Sequence, residues 1–214
     1  MTRAMVIIAG TDLFHDLING GLALQKTLID ADISIRLTTG MQRFHNPQQA
    51  TASTSVYITY THGQYMTHAN QQALAHSIKE EGKGLIVLHA SNVLADEMES
   101  FEQYQTWFNL IGSRFQRHAA FTRLSIHIQH EHPITAGITD FEIDDEPYEI
   151  ELFDPSAQIL ATRVTQDGAH PSLYIREQGR GRICYLALGH DMRAWGHPSF
   201  RKLLVQAVSW AAHS

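Results

Sequence analysis

The stretch Gly82-Lys83-Gly84-Leu85-Ile86-Val87-Leu88-His89-Ala90-Ser91-Asn92 limits what this chain can fold into more than any other. Two glycines lead into an unbroken apolar run, the run stops at a histidine, and small residues follow. A short apolar run between turn signals predicts a strand buried on both faces, as in a parallel sheet covered by helices. In open α/β sheets, ligands bind just beyond the carboxyl ends of such strands, and His89 falls at that point. The bland alternative is a histidine that merely caps its strand. The sharper one is a site group, because imidazole changes charge near neutral pH.

The segments before it repeat the pattern. Ala4 to Ala9 reads as an apolar strand running into a polar loop, Gly10 to Asp16, that carries His15. Leu22, Leu24, Leu28 and Ile29 form a helical stripe ending near Ala31, and Ile33, Ile35 and Leu37 alternate as a second strand. Gly40 to Thr54 is polar and reads as loop. Ser55 to Thr61 is β-branched and aromatic, hence strand, and Thr61-His62-Gly63-Gln64 ends it. Thr67 is placed to cap a helix from His68 to Glu81, with Ala69, Ala73, Leu74 and Ile78 toward the core; Gly82 and Gly84 stop it. Such alternation argues for a parallel sheet with helices on both faces. Right-handed crossovers would bring His15, His62 and His89 to one sheet edge.

The second half has a different texture. Glu99 to Ile111 reads as a helix whose Phe101, Tyr104, Trp107, Phe108 and Ile111 suit core packing better than a ligand platform. Phe121 to Gln129 alternates as a strand, and His132-Pro133-Ile134-Thr135 is a turn, since the residue before proline leaves the helical region. Phe141 to Phe153 is acidic and extended. Gln158 to Val164, Pro171 to Arg176 and Arg182 to Leu188 read as strands, with Gln178-Gly179-Arg180-Gly181 turning between the last two. Gly189-His190-Asp191 closes the last strand. Pro198 to Ala212 is a helix with proline in its first turn, where the missing N–H costs little.

Composition narrows the function classes. The 214 residues are 43% apolar, enough for one sizeable core, and no linker divides them, so one domain over 1–214 is expected. Net charge is −6 with no Lys/Arg cluster, which argues against a nucleic-acid partner. The single cysteine, Cys184, excludes an internal disulfide and a CxxC metal knuckle. It lies within a strand, where an inert buried thiol is expected. No apolar run approaches the length of a membrane span or a signal segment, so a soluble, cytoplasmic protein without a membrane partner is expected.

Four strands thus end in a histidine: His15, His62, His89 and His190. Imidazoles facing one cleft, completed by a carboxylate, could bind a metal or shuttle protons. His127-Ile128-Gln129-His130-Glu131-His132 is denser, but it lacks HExxH spacing and a helix and reads as a solvent-facing strand and turn. In Asp144-Asp145-Glu146-Pro147-Tyr148-Glu149, Glu146 and Tyr148 fall on the same side of an extended segment. That arrangement suits a general base or a hydroxyl-binding pair for a sugar. The turn Leu88-His89-Ala90-Ser91-Asn92 has no cysteine, and Ser91 lies too late to be the nucleophile of a GxSxG elbow.

In order along the chain, Gly84-Leu85-Ile86-Val87-Leu88-His89, Trp107 with Leu110-Ile111-Gly112, Phe115 with His118, and His132-Pro133-Ile134-Thr135 resemble motifs of the ThuA-like (trehalose utilisation) family. So do Asp145-Glu146-Pro147-Tyr148, Gly179-Arg180-Gly181-Arg182-Ile183 with Leu188-Gly189-His190-Asp191, and Ser209-Trp210-Ala211-Ala212. The match runs from about Gly82 to the end and fits the first third more loosely, through His15-Asp16 and Thr61-His62.

The resemblance implies a class I glutamine amidotransferase-like fold, a flavodoxin-like α/β/α three-layer sandwich with a mainly parallel central sheet. It places His89 near the amidotransferase cysteine's position, so a Cys-dependent amidotransferase is not expected. It implies an enzyme of carbohydrate utilisation acting on a sugar, keto-sugar or glycoside, with catalytic candidates His89, His118, Glu146 and His190. His15, Trp107, Tyr148, Asp191 and Trp195 are candidates for binding the small-molecule sugar. A divalent metal such as zinc is a candidate cofactor, on His62, His89 and His190. The rival reading is a non-catalytic sugar-binding or regulatory module, and a hydrolase using Ser91 is a weaker third. Trp195 and Phe200, if exposed, would suit a homodimer patch; the alternative is core.

Overall fold

A computed structural model describes residues 2–10, 15–40, 53–62, 66–94, 100–165 and 168–212. Most of the expected 40–54 loop, the middle of the first polar loop and Gly63-Gln64 lie outside the described residues.

The first half alternates as its periodicity predicts. Strand β1 (Arg3–Ala9) leads to helix α1 (Leu17–Ile29) and strand β2 (Ser34–Thr39). Strand β3 (Val56–Thr61), helix α2 (His68–Lys79) and strand β4 (Gly84–Leu88) follow. Thr67 caps α2 in a reciprocal capping box with Asn70. After β4, residues His89–Asn92 form one 3₁₀ turn. The aromatic stripe is shorter than expected, a 3₁₀ turn at Glu102–Tyr104 running into helix α3 (Gln105–Ile111).

Strands β5 (Ser113–His118), β6 (Thr122–Ile128), β7 (Phe141–Asp145), β8 (Tyr148–Leu152), β9 (Gln158–Thr165), β10 (Gly168–Gln178) and β11 (Gly181–Leu186) come next. A short helix, α4 (Met192–Gly196), and helix α5 (Pro198–Ala211) end the described chain.

Among the described residues, nine strands make one sheet in the order β2-β1-β3-β4-β11-β10-β9-β6-β7. The run from β2 to β11 is parallel, and the run from β11 to β7 is an antiparallel wing. Strands β5 and β8 pair apart from it as a two-stranded sheet. The acidic stretch 141–153, read as one extended segment, is therefore two strands on two sheets. It changes sheet at Glu146-Pro147, where proline has no N–H to give to a ladder.

Every residue of β4 is buried, and its side chains alternate between two cores. Ile86 and Leu88 pack with Leu24 and Leu28 of α1 and with Leu203 and Leu204 of α5. Leu85 and Val87 pack with Leu74 and Ile78 of α2 and with Trp107 and Phe108 of α3. Period-two alternation into two helical layers is what makes a three-layer α/β/α sandwich. The close fit has a local cause at Gly84, where a Cβ would stand 2.5 Å from the carbonyl oxygen of Ala211; only a residue without one lets α5 lie this near the strand.

Candidate functional site

The parallel half delivers its strand ends to one edge, and the histidines gather there. His15 enters α1, His62 follows β3, His89 follows β4 and His190 follows β11. The small sheet brings two further groups, His118 at the end of β5 and Glu146 just before β8.

Glu146 is the hub. Its Oε2 lies 3.3 Å from His89 Nε2, 3.1 Å from His190 Nδ1 and 4.0 Å from His15 Nε2, while Oε1 lies 3.8 Å from His118 Nε2. One ligand atom each from His15, His89, Glu146 and His190 fall within 4.8 Å of one another.

His89 is fully buried and holds a left-handed backbone, φ +47°, which costs a non-glycine residue on the order of 1 kcal/mol or more. Two bonds hold it there. Its Nδ1–H donates to the carbonyl of Ala187 at 2.6 Å, and the Tyr185 hydroxyl donates to its own carbonyl at 3.3 Å. Because a carbonyl can only accept, Nδ1 carries a proton and Nε2 is left to face the site. It lies 3.3 Å from a carboxylate oxygen of Glu146. His89 Nε2, His190 Nδ1 and Glu146 Oε2 are all buried, and despite their short separations none makes a hydrogen bond.

Charge follows from the same contacts. Burial alone would raise the pKa of Glu146; the imidazoles of His190 and His89 more than offset it and hold the carboxylate well below its usual range. Burial would lower His190, yet contact with Glu146, aided by the charges of Asp145 and Asp191, raises it overall.

The donor set fits a divalent cation. Three imidazole nitrogens and one carboxylate oxygen are zinc-type ligands, and bonds of roughly 2.0–2.1 Å in a tetrahedron separate ligand atoms by about 3.3 Å. The buried, unbonded atoms around Glu146 Oε2 are where such an ion would replace the missing hydrogen bonds.

Other candidates divide. Tyr148 is buried and sandwiched, its ring centroid 4.1 Å from His89 and 5.3 Å from His118. It stands opposite His118 in the β5–β8 ladder. His62, expected among the ligands, lies outside the four-residue group and stacks on His15 at 4.9 Å; His15 and Glu146 stand where it was expected.

Neither tryptophan forms a stacking wall. Trp107 and Trp195 are 1% and 2% exposed, and each donates its indole N–H to a backbone carbonyl, Ser91 and Gly189 respectively. Trp195 and Phe200 are core, which removes them from any exposed patch. Asp191 caps α4 and turns to Arg193. Ser91 Oγ accepts from the amide of Thr61 at the end of β3, and burial pushes the thiol of Cys184 up. His127 pairs with Asp140 on the surface, as its solvent-facing reading implies.

Sequence reasoning passed over Asp145, fully buried beside the hub; its only signal was its place in the acidic motif. A cavity of about 420 Å³, bordered by Ile8, Gly10, His15, Asp16, Leu17 and Thr39, opens beside His15.

Among the described residues no helix is long and apolar enough to cross a membrane. A family model described as ThuA, trehalose utilisation, matches residues 3–211. No curated protein matches the chain. Among solved structures, a ThuA-like protein from Parabacteroides merdae superposes with TM-score 0.81 at 14% identity, covering 99% of this chain and 90% of that one. One from Bacteroides uniformis gives 0.79 at 17%, covering 98% and 91%. The β-galactosidase of Rahnella sp. R3 gives 0.69 at 12%, covering 95% of this chain but 31% of the enzyme. At these identities the likeness is one of fold.

Proposed function

Since the chain belongs to the ThuA family, trehalose utilisation, and so to carbohydrate utilisation, we propose that it is an enzyme acting on a sugar, keto-sugar or glycoside at the His–Glu centre. One observation carries the reading: four ligand-type atoms from His15, His89, Glu146 and His190 converge within 4.8 Å. His89 Nε2 and Glu146 Oε2, both buried, stand 3.3 Å apart within that group.

These four residues would hold a divalent cation such as zinc, which when bound polarises a carbonyl or hydroxyl oxygen. The protein's own part is to place and protonate. Ala187 fixes the His89 tautomer, and Glu146 stays ionised. His118, the most exposed imidazole around Glu146 at 35% of its side chain, exchanges a proton with the substrate as general acid or base. Tyr148 keeps His118 and His89 at fixed separation. The cavity beside His15 takes the body of the sugar.

The test is elemental analysis of wild type, Glu146→Gln and His89→Ala after zinc reconstitution, followed by thermal-shift and turnover screens of sugars, keto-sugars and glycosides. About one zinc per chain, lost in both variants while they still unfold cooperatively, is expected, with turnover lost alongside. A reconstituted wild type without zinc overturns the metal assignment. A ligand that stabilises the protein by about 2.7 kcal/mol at a hundredfold excess over its Kd, yet is never converted, makes it a binding module instead.

A further inference from the structure

Asp145 has no part in the reading above, yet its surroundings are unusual. It is the last residue of β7 and completely buried. Its Oδ2 accepts from the amide of Gly189 at 2.7 Å, and its Oδ1 from the amides of Glu146 at 2.8 Å and His190 at 3.2 Å. Strand β7 is the outer edge of the sheet, four places from β11. In a flat sheet that separation is about 19 Å. The contact exists because the antiparallel wing curls back over the edge that carries the histidines, and Asp145 closes the curl.

Two of the three residues it grips belong to the centre. His190 lies on a loop beyond the end of β11, and Glu146 lies between two strands of different sheets. Gly189 has φ +122°, a conformation that favours glycine. Its carbonyl is held from the other side by the Tyr60 hydroxyl at 2.9 Å and the Trp195 indole at 3.1 Å.

We infer that Asp145 is a positioning residue that couples the two loops of the centre, setting His190 Nδ1 against Glu146 Oε2 by holding the amides of both loops on one buried carboxylate. The inference rests on the reading of the His–Glu centre as a cation site. Asn at 145 keeps the size but replaces one acceptor by an N–H that faces amide donors. One of the loops is then released.

Zinc affinity, measured by chelator competition, should fall about 10- to 100-fold in Asp145→Asn, the usual effect of losing a group that orients ligands. An apo crystal structure should show His190 Nδ1 and Glu146 Oε2 parted from 3.1 Å, with the His89–Ala187 bond intact. Ile126→Val, a core change on β6, controls for stability and should leave zinc affinity unchanged. Asp145→Ser replaces the Asn variant if that one does not fold.

Wild-type zinc affinity in the Asp145 variant overturns the inference and leaves the centre's reading standing. If wild type itself binds no zinc, the reading fails, and the apo structures decide the inference alone. A retained 3.1 Å contact overturns it, and a parted pair sustains it.

Discussion

The proton on His89 Nδ1 is committed to the carbonyl of Ala187, and that one bond determines what the other ring nitrogen can do. It turns Nε2 inward, toward Glu146. The neighbouring tryptophan shows the same economy of groups. Trp195 serves the site through Gly189, whose carbonyl it binds, and does not touch the cleft as a stacking surface. Trp195→Phe keeps an aromatic ring in the core and removes the indole N–H that is shared between the Gly189 carbonyl and the Tyr60 hydroxyl. The cost is about 1–2 kcal/mol, which for a chain of this size lowers the melting temperature by roughly 3 °C per kcal/mol. Calorimetry should show a drop of that order; an unchanged melting temperature would mean that Tyr60 alone satisfies Gly189.

At the level of strands and helices, the site was legible where the chain is regular. The alternation of β1, α1, β3, α2 and β4 predicts a shared edge for His15, His62 and His89, the last strand end adds His190, the acidic stretch offers Glu146, and the resemblance adds His118. What stayed hidden depends on contacts far apart in sequence. That His62 packs behind His15, leaving the ligand group to His15 and Glu146, follows from side-chain directions at the strand ends, which period-two patterns do not give. Nor does the acidic run 141–153 announce that it changes sheets, and beyond its place in the motif nothing in the sequence shows that Asp145 is buried while Asp144 beside it is only half-buried. Trp107 and Trp195 are a third case, because an aromatic beside a motif reads equally as platform or core.

The helix–strand fit gives a test of its own. Gly84→Ala would place a methyl 2.5 Å from the Ala211 carbonyl, so α5 must shift, at about 1–3 kcal/mol. Gly196→Ala meets nothing within 4 Å at the end of α4 and should be neutral or stabilising by up to about 1 kcal/mol. Urea midpoints for the pair check this; equal effects would mean that the α5 contact is not tight.

Over the whole molecule, two histidines outside the centre add a pH dependence to stability, opposite in sign to that of His190, whose raised pKa favours the folded state as pH falls. Burial, with the Arg182 charge adding to it, lowers the pKa of His132. Its Nδ1 accepts from the amide of Ile134 at 3.1 Å, which only the unprotonated nitrogen can do. Burial likewise lowers His197. Groups depressed in the folded state leave the unfolded chain binding more protons, so stability rises with pH through this window. It is fully present above the unfolded value near about 6.5 and is lost as pH falls through the folded values. His132→Gln with His197→Gln should raise the urea midpoint at pH 5.5 relative to that at pH 7.5; an unchanged difference between the two pH values excludes these two residues as a source.

The position of β11 has a further consequence, for the order in which the protein can be made. It lies between β4 and β10, joining the parallel half to the antiparallel wing, and it is the last of the described strands to be synthesised. Until it emerges from the ribosome, β4 has an open edge and a row of unpaired backbone groups, and the loop with His190 does not yet exist. The histidines at positions 15 and 89 must wait for the final quarter of the chain. Folding that depends on such long-range pairing is slow and leaves strand edges exposed meanwhile, so the newborn chain is most vulnerable to association just before β11 pairs.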